Sequence, residues 1–100
     1  MKVYMLNGKA VVPCDMDTWA RTFGAGDKSR RVAFDEVGDS HVSTVFLGLD
    51  HRFSGVGPPI LFETMVFGGP LNEEMERYST YDEAESGHLA MVERVRNGSL

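Results

Sequence analysis

The chain has 100 residues, with ten lysines and arginines against fifteen aspartates and glutamates, and one cysteine. That length makes a single domain over residues 1–100, with a folded surface of roughly 5,600 Å² against about 16,000 Å² unfolded, enough for one modest core without metal or disulfide. A net charge of −5 argues against nucleic acid or an anionic membrane as partner, since both need a cationic surface, and the lone Cys14 points to a cytosolic rather than a secreted setting.

The apolar run after Lys2 breaks at Asn7, too short for a signal-peptide core. No stretch approaches the roughly 20 apolar residues that span a bilayer, so the chain reads as soluble and unprocessed. Asn7-Gly8 between Lys2–Leu6 and Lys9–Val12 predicts a type I′ hairpin, with Pro13 ending its second arm. Asp15 reads as a helix N-cap, followed by Met16, Trp19, Ala20 and Phe23 at the spacing of one helical face. Gly24-Ala25-Gly26 stops that helix.

Two strands, Arg31–Val37 and Ser40–Asp50, flank a turn at Gly38-Asp39, which sets Phe34 opposite Ser43 and Val32 opposite Val45. A third strand runs from Ile60 to Phe67. Pairing His51 with Ile60 gathers Val32, Phe34, Val45, Leu47, Leu49, Ile60, Phe62 and Val66 onto one apolar face. The same register leaves Phe46, Leu61, Met65 and Phe67 on the opposite, solvent-facing side. Met75–Tyr78 predicts a short fourth strand. Thr80 and Glu83 form a capping box for a last helix, with Tyr81, Ala84, His88, Met91, Val92 and Val95 on one face and Gly98 after its end. The expected fold is α+β: an antiparallel sheet of three to five strands with two short helices packed on one face.

The stretches Val42-Ser43-Thr44-Val45-Phe46-Leu47-Gly48-Leu49-Asp50-His51, Gly57-Pro58-Pro59-Ile60-Leu61-Phe62-Glu63-Thr64-Met65-Val66-Phe67-Gly68-Gly69, and Arg77-Tyr78-Ser79-Thr80-Tyr81-Asp82-Glu83-Ala84 with Gly87-His88 carry a likeness. Through them the chain resembles a family of small uncharacterised proteins encoded by tailed bacteriophages and prophages. The resemblance implies a phage or prophage origin and the cytoplasm of a bacterial host as place of action. It implies no activity and no catalytic residue.

The residues best suited to chemistry are Asp50, His51, Glu63 and His88, whose carboxylates and imidazoles could hold a ligand or a divalent metal or move protons. Their spacing matches no metal signature. The plainer reading makes Asp50 and His51 a strand end fixing its loop, Glu63 a salt-bridged surface residue, and His88 a hydrogen-bonded histidine at the core edge. Glu36 and His41 face each other across the first hairpin as a surface pair, and Cys14 is a half-buried structural thiol. No Gly-x-Ser-x-Gly elbow or phosphate-binding loop is present. Charge is segregated: Arg21, Lys28, Arg30 and Arg31 make a basic segment, while seven acidic residues and one arginine lie between Glu63 and Glu85.

The apolar row Phe46, Leu61, Met65 and Phe67 points to an interface, because large exposed apolar patches mark contact surfaces. The expected protein is therefore a non-enzymatic accessory protein without a cofactor, meeting a host or phage protein, or a second copy of itself, through that row. The alternative is an enzyme-like protein that binds a small ligand or metal around Asp50, His51, Glu63 and His88.

Overall fold

The computed structural model describes residues 2–24, 30–50 and 57–98, and the side chains of these except at 22–24. The architecture is α+β, as the residue pattern predicts. A hairpin of β1 (Val3–Asn7) and β2 (Ala10–Cys14) is followed by α1 (Met16–Gly24). Then come β3 (Arg31–Val37), β4 (Ser40–Phe46), β5 (Phe62–Phe67) and β6 (Met75–Tyr78), and the chain closes with α2 (Tyr81–Arg96). β3 to β6 form one antiparallel sheet in sequence order, and β1 and β2 form a second, two-stranded one. An isolated bridge, Val3 to Leu49, and the bond from the Tyr4 amide to the Gly48 carbonyl tie the small sheet to the large one.

Local chemistry accounts for most element ends. Asp15 accepts from the Thr18 amide at 2.7 Å and caps α1. Gly38 takes φ +60° in the β3–β4 turn, where Val37 pairs with Ser40. Thr80 accepts from the Glu83 amide at 3.1 Å, and Glu83 accepts from the Thr80 amide at 3.0 Å, completing the expected capping box. The first hairpin differs from expectation. Asn7 pairs with Ala10, so Gly8 and Lys9 form the turn. Only Gly8 has positive φ, as a type II′ turn requires, whereas type I′ needs it at both turn residues. Pro13 sits inside β2 opposite Tyr4 and does not end it; an edge strand tolerates a missing amide donor on its open side.

The helices do not share one support. α2 spans all four strands of the large sheet, whereas α1 lies against β1. Met16 and Ala20 are exposed, so α1 does not bury the whole apolar face its spacing draws; Phe23 lies outside the described side chains.

Between β4 and β5 the register departs from expectation. Glu63 lies opposite Val45, not Gly48, a shift of three positions. An odd shift turns β4 over. Its inward residues are Val42, Thr44 and Phe46, paired across the sheet with Val66, Thr64 and Phe62, all buried. Phe46 and Leu61, expected in a solvent-facing row, are 2% and 1% exposed and belong to the core with Phe62 and Ala84. Conversely Phe34 and Val45, expected in the core, lie on the open face: Phe34 pairs with Ser43, the neighbour of inward-facing Val42 and Thr44. Val32 keeps its core position because a bulge between Arg31 and Ala33 displaces it from strict alternation.

The core has three levels under α2. One apolar cluster holds Val42, Val66, Leu71, Met91 and Val92. The other holds Phe46, Leu61, Phe62 and Ala84, and the first hairpin adds Tyr4, Leu6 and Val11 to it. The fully buried Thr44 and Thr64 and the buried His88 supply the polar level of this core. Lys9 fastens the hairpin to α2 through Glu85 at 3.0 Å and lies over the Tyr81 ring.

Candidate functional site

The polar level joins four side chains in one hydrogen-bonded series. β4 and β5 place Thr44 and Thr64 side by side, with their hydroxyl oxygens 2.5 Å apart. α2 lowers His88 onto them, its Nδ1 2.7 Å from the Thr44 hydroxyl. β3 supplies Asp35, whose Oδ2 lies 2.7 Å from His88 Nε2. A carboxylate only accepts, so Nε2–H is the donor to Asp35. In the neutral ring Nδ1 then accepts from the Thr44 hydroxyl, and Thr44 accepts from Thr64. Every member is satisfied in one consistent direction, the condition for burying polar groups without a large penalty.

A carboxylate, an imidazole and a hydroxyl in series are the parts of a nucleophilic triad. Here the hydroxyl is sealed: Thr44 and Thr64 are 0% exposed, and His88 2%. Only Asp35 reaches solvent, with about half of its side chain exposed (54%). No substrate atom can approach the Thr44 oxygen while β4 and α2 are packed together. The grouping therefore holds sheet and helix in register.

Tyr78 stands at the edge of this layer. Its ring fills the space that a Cβ on Gly87 of α2 would need, 2.2 Å from that position. The Tyr78 hydroxyl is shut off from water without a hydrogen-bond partner among the described residues. Burial pushes its pKa above the usual phenol value, while the nearby Thr64 hydroxyl, close but outside hydrogen-bond geometry, pulls it down.

Of the four residues picked out for chemistry, the three described ones, Asp50, Glu63 and His88, are placed apart. Asp50 accepts from the Ile60 amide at 2.9 Å and closes the loop between β4 and β5. Glu63 accepts from Arg77 at 3.1 Å on the open face of the sheet. His88 is beneath the opposite face, and His51 lies outside the described residues. Among the described residues no group of three or more histidine, cysteine, aspartate or glutamate side chains is arranged to hold a metal. Cys14 lines a cleft of about 370 Å³ with Tyr4, Pro13, Asp15 and Met16. Cys14 is half-buried at the end of β2, and among the described residues lining the cleft there is no imidazole base. His41 faces Glu36 in register, but its ring packs edge-on against Phe34, with centroids 5.6 Å apart. Asp35 and the two threonines are the residues that sequence reasoning missed. A signal was present: Val42-x-Thr44-x-Phe46 and Phe62-x-Thr64-x-Val66 mirror each other as antiparallel partners do.

The second candidate is the face of the large sheet away from α2. Its side chains form rows across the strands. The first holds Arg31, Val45, Glu63 and Arg77. The middle row holds Phe34, Ser43, Met65 and Met75, and the third Glu36, His41 and Phe67. Phe34, Met75 and Phe67 are 38%, 39% and 49% exposed. The Arg31 guanidinium lies over the Phe34 ring, 4.6 Å from its centroid. Of the row expected at an interface, Met65 and Phe67 are on this face, while Phe46 and Leu61 have gone to the core.

No helix of the described residues is long and apolar enough to cross a membrane. Compared with known proteins, the chain matches no family model, no curated sequence and no solved structure.

Proposed function

We propose that the chain is a small non-enzymatic accessory protein of a phage or prophage, acting by protein–protein contact in the cytoplasm of a bacterial host. The observation that carries the contact reading is the open sheet face, where Phe34 and Met75 of the uncharged middle row stay exposed, with Phe67 beside them. Apolar side chains so grouped, and rimmed by Arg31, Glu36 and Arg77, have the anatomy of a contact surface. The non-enzymatic reading is supported by the sealed Thr44 hydroxyl and by the separate duties of Asp50, Glu63 and His88. The phage origin rests on the resemblance of the Val42–His88 stretches.

The test is capture from bacterial lysate with tagged wild type and tagged Phe67→Glu, read by mass spectrometry. The reading expects a stoichiometric protein with the wild type that is lost with the variant. Identical sets from both, with both folded by circular dichroism, refute it.

A further inference from the structure

Resting on the reading of the open face as a contact surface, we propose that its occupant is a second copy of this chain, docked face to face about a two-fold axis running across the strands. The three rows carry the proposal. The first has two arginines and one glutamate, Arg31, Arg77 and Glu63, for a net +1; in the third, Glu36 supplies −1. The middle row, Phe34, Ser43, Met65 and Met75, is uncharged.

Two sheets packing face to face keep their strands within about 30° of each other, and a two-fold contact is self-complementary. Only two in-plane axes satisfy both conditions. An axis along the strands lays β3 over the partner's β6 and sets Arg31 against a second arginine, Arg77 of the partner subunit. An axis across the strands, through the middle row, inverts the order of the rows. It lays the apolar row on its own copy and brings Arg31 over Glu36 of the partner subunit, with the reciprocal contact made at the same time. Phe67 then covers the partner's Glu63 and Arg77, which already neutralise each other at 3.1 Å in each copy. Charge thus selects the second axis, which forms two opposite-charge contacts between Arg31 and Glu36, whereas the first forms none and sets arginine over arginine.

Four strands about 4.8 Å apart and three rows about 6.8 Å apart give a footprint of roughly 400 Å² per copy. A standard stable interface buries about 800 Å² per partner. The dimer is accordingly weak and concentration-dependent, an exchangeable cover for the apolar row.

The experiment is sedimentation velocity from about 10 µM to about 500 µM on wild type, Arg31→Glu, Glu36→Arg and an equimolar mixture of the two variants. Both positions are exposed, and circular dichroism checks that each variant folds. Wild type should self-associate with rising concentration. Each single variant meets its own reversed charge twice across the axis and should associate at least about tenfold more weakly. The mixture should recover association as a heterodimer, because each copy then offers what the other has lost. Wild type that stays a clean monomer overturns the proposal. So does a mixture no better associated than its components, which removes the axis. Neither result touches the contact function, which stands or falls on whether Phe67→Glu abolishes capture from lysate.

Discussion

The buried polar layer makes a quantitative demand on the fold. In His88→Leu the Thr44–Thr64 pair loses its acceptor. One hydroxyl can still donate to the other across their 2.5 Å contact, but the second hydrogen has nowhere to go. A buried donor left unmet costs about 1–3 kcal/mol. Leucine restores apolar volume and gains a few tenths in helix propensity, so the net loss should be about 2 kcal/mol, a large part of the roughly 5–15 kcal/mol by which a domain is stable. Asp35, with about half of its side chain exposed (54%), keeps its water and adds little. The triple variant Thr44→Val, Thr64→Val, His88→Leu removes the hydroxyls as well as their acceptor, and valine has nearly the shape of threonine. Replacing all partners with apolar groups of like shape is close to neutral, so the triple should return to within about 1 kcal/mol of wild type. Urea unfolding followed by far-ultraviolet circular dichroism measures both. A triple variant less stable than His88→Leu alone would refute the account, since it would show the threonine hydroxyls contributing independently of the histidine.

Three further outcomes follow from named contacts. Gly87→Ala should destabilise by up to about 2 kcal/mol, because the new methyl overlaps the Tyr78 ring and overpacking costs about 1–3 kcal/mol against the roughly 1 kcal/mol that alanine gains within a helix; a higher melting temperature would sink this. Phe46→Ala should cost about 3–5 kcal/mol as a core truncation, whereas Phe67→Ser on the open face should change stability by less than about 1 kcal/mol; equal losses would restore the register that faces Phe46 to solvent. Asp15 is held below the ordinary aspartate range by its bond from the Thr18 amide, so its contribution is present above the unfolded value and disappears as pH falls through the folded one. Asp15→Asn, which caps equally well, should match wild type at neutral pH and lose less stability on acidification, and identical acid profiles would show that the cap charge is irrelevant.

Local signals in the chain specify local structure well. Gly38-Asp39 sets the turn that aligns β3 with β4, and Thr80 with Glu83 sets the start of α2; both act between residues a few positions apart, where geometry leaves few alternatives. The apolar face of α2, including His88, is legible for the same reason. The candidate site was legible only as a list of residue types. Asp50 and Glu63 took the loop-fixing and salt-bridging duties open to them, while the partners of His88 come from two different strands, 44 and 53 positions away.

By itself the sequence determined the α+β class, the extents of β3, β6 and α2, the capping of both helices and the pairing of β3 with β4 near their turn; the bulge that sets Arg31 and not Val32 opposite Val45 was not legible. Tertiary structure alone decided the pairing of β4 with β5. Counting apolar residues favours Val45 and Leu47 inward, and it misleads because a tight turn does not join these strands and so cannot set their register. The folded chain instead turns Thr44 and Thr64 inward and lets Phe46 and Phe62 meet, their ring centroids 5.2 Å apart. Two threonines are unfavourable core residues until a helix brings an imidazole to accept their hydrogen. That acceptor is His88, and only folding puts it there.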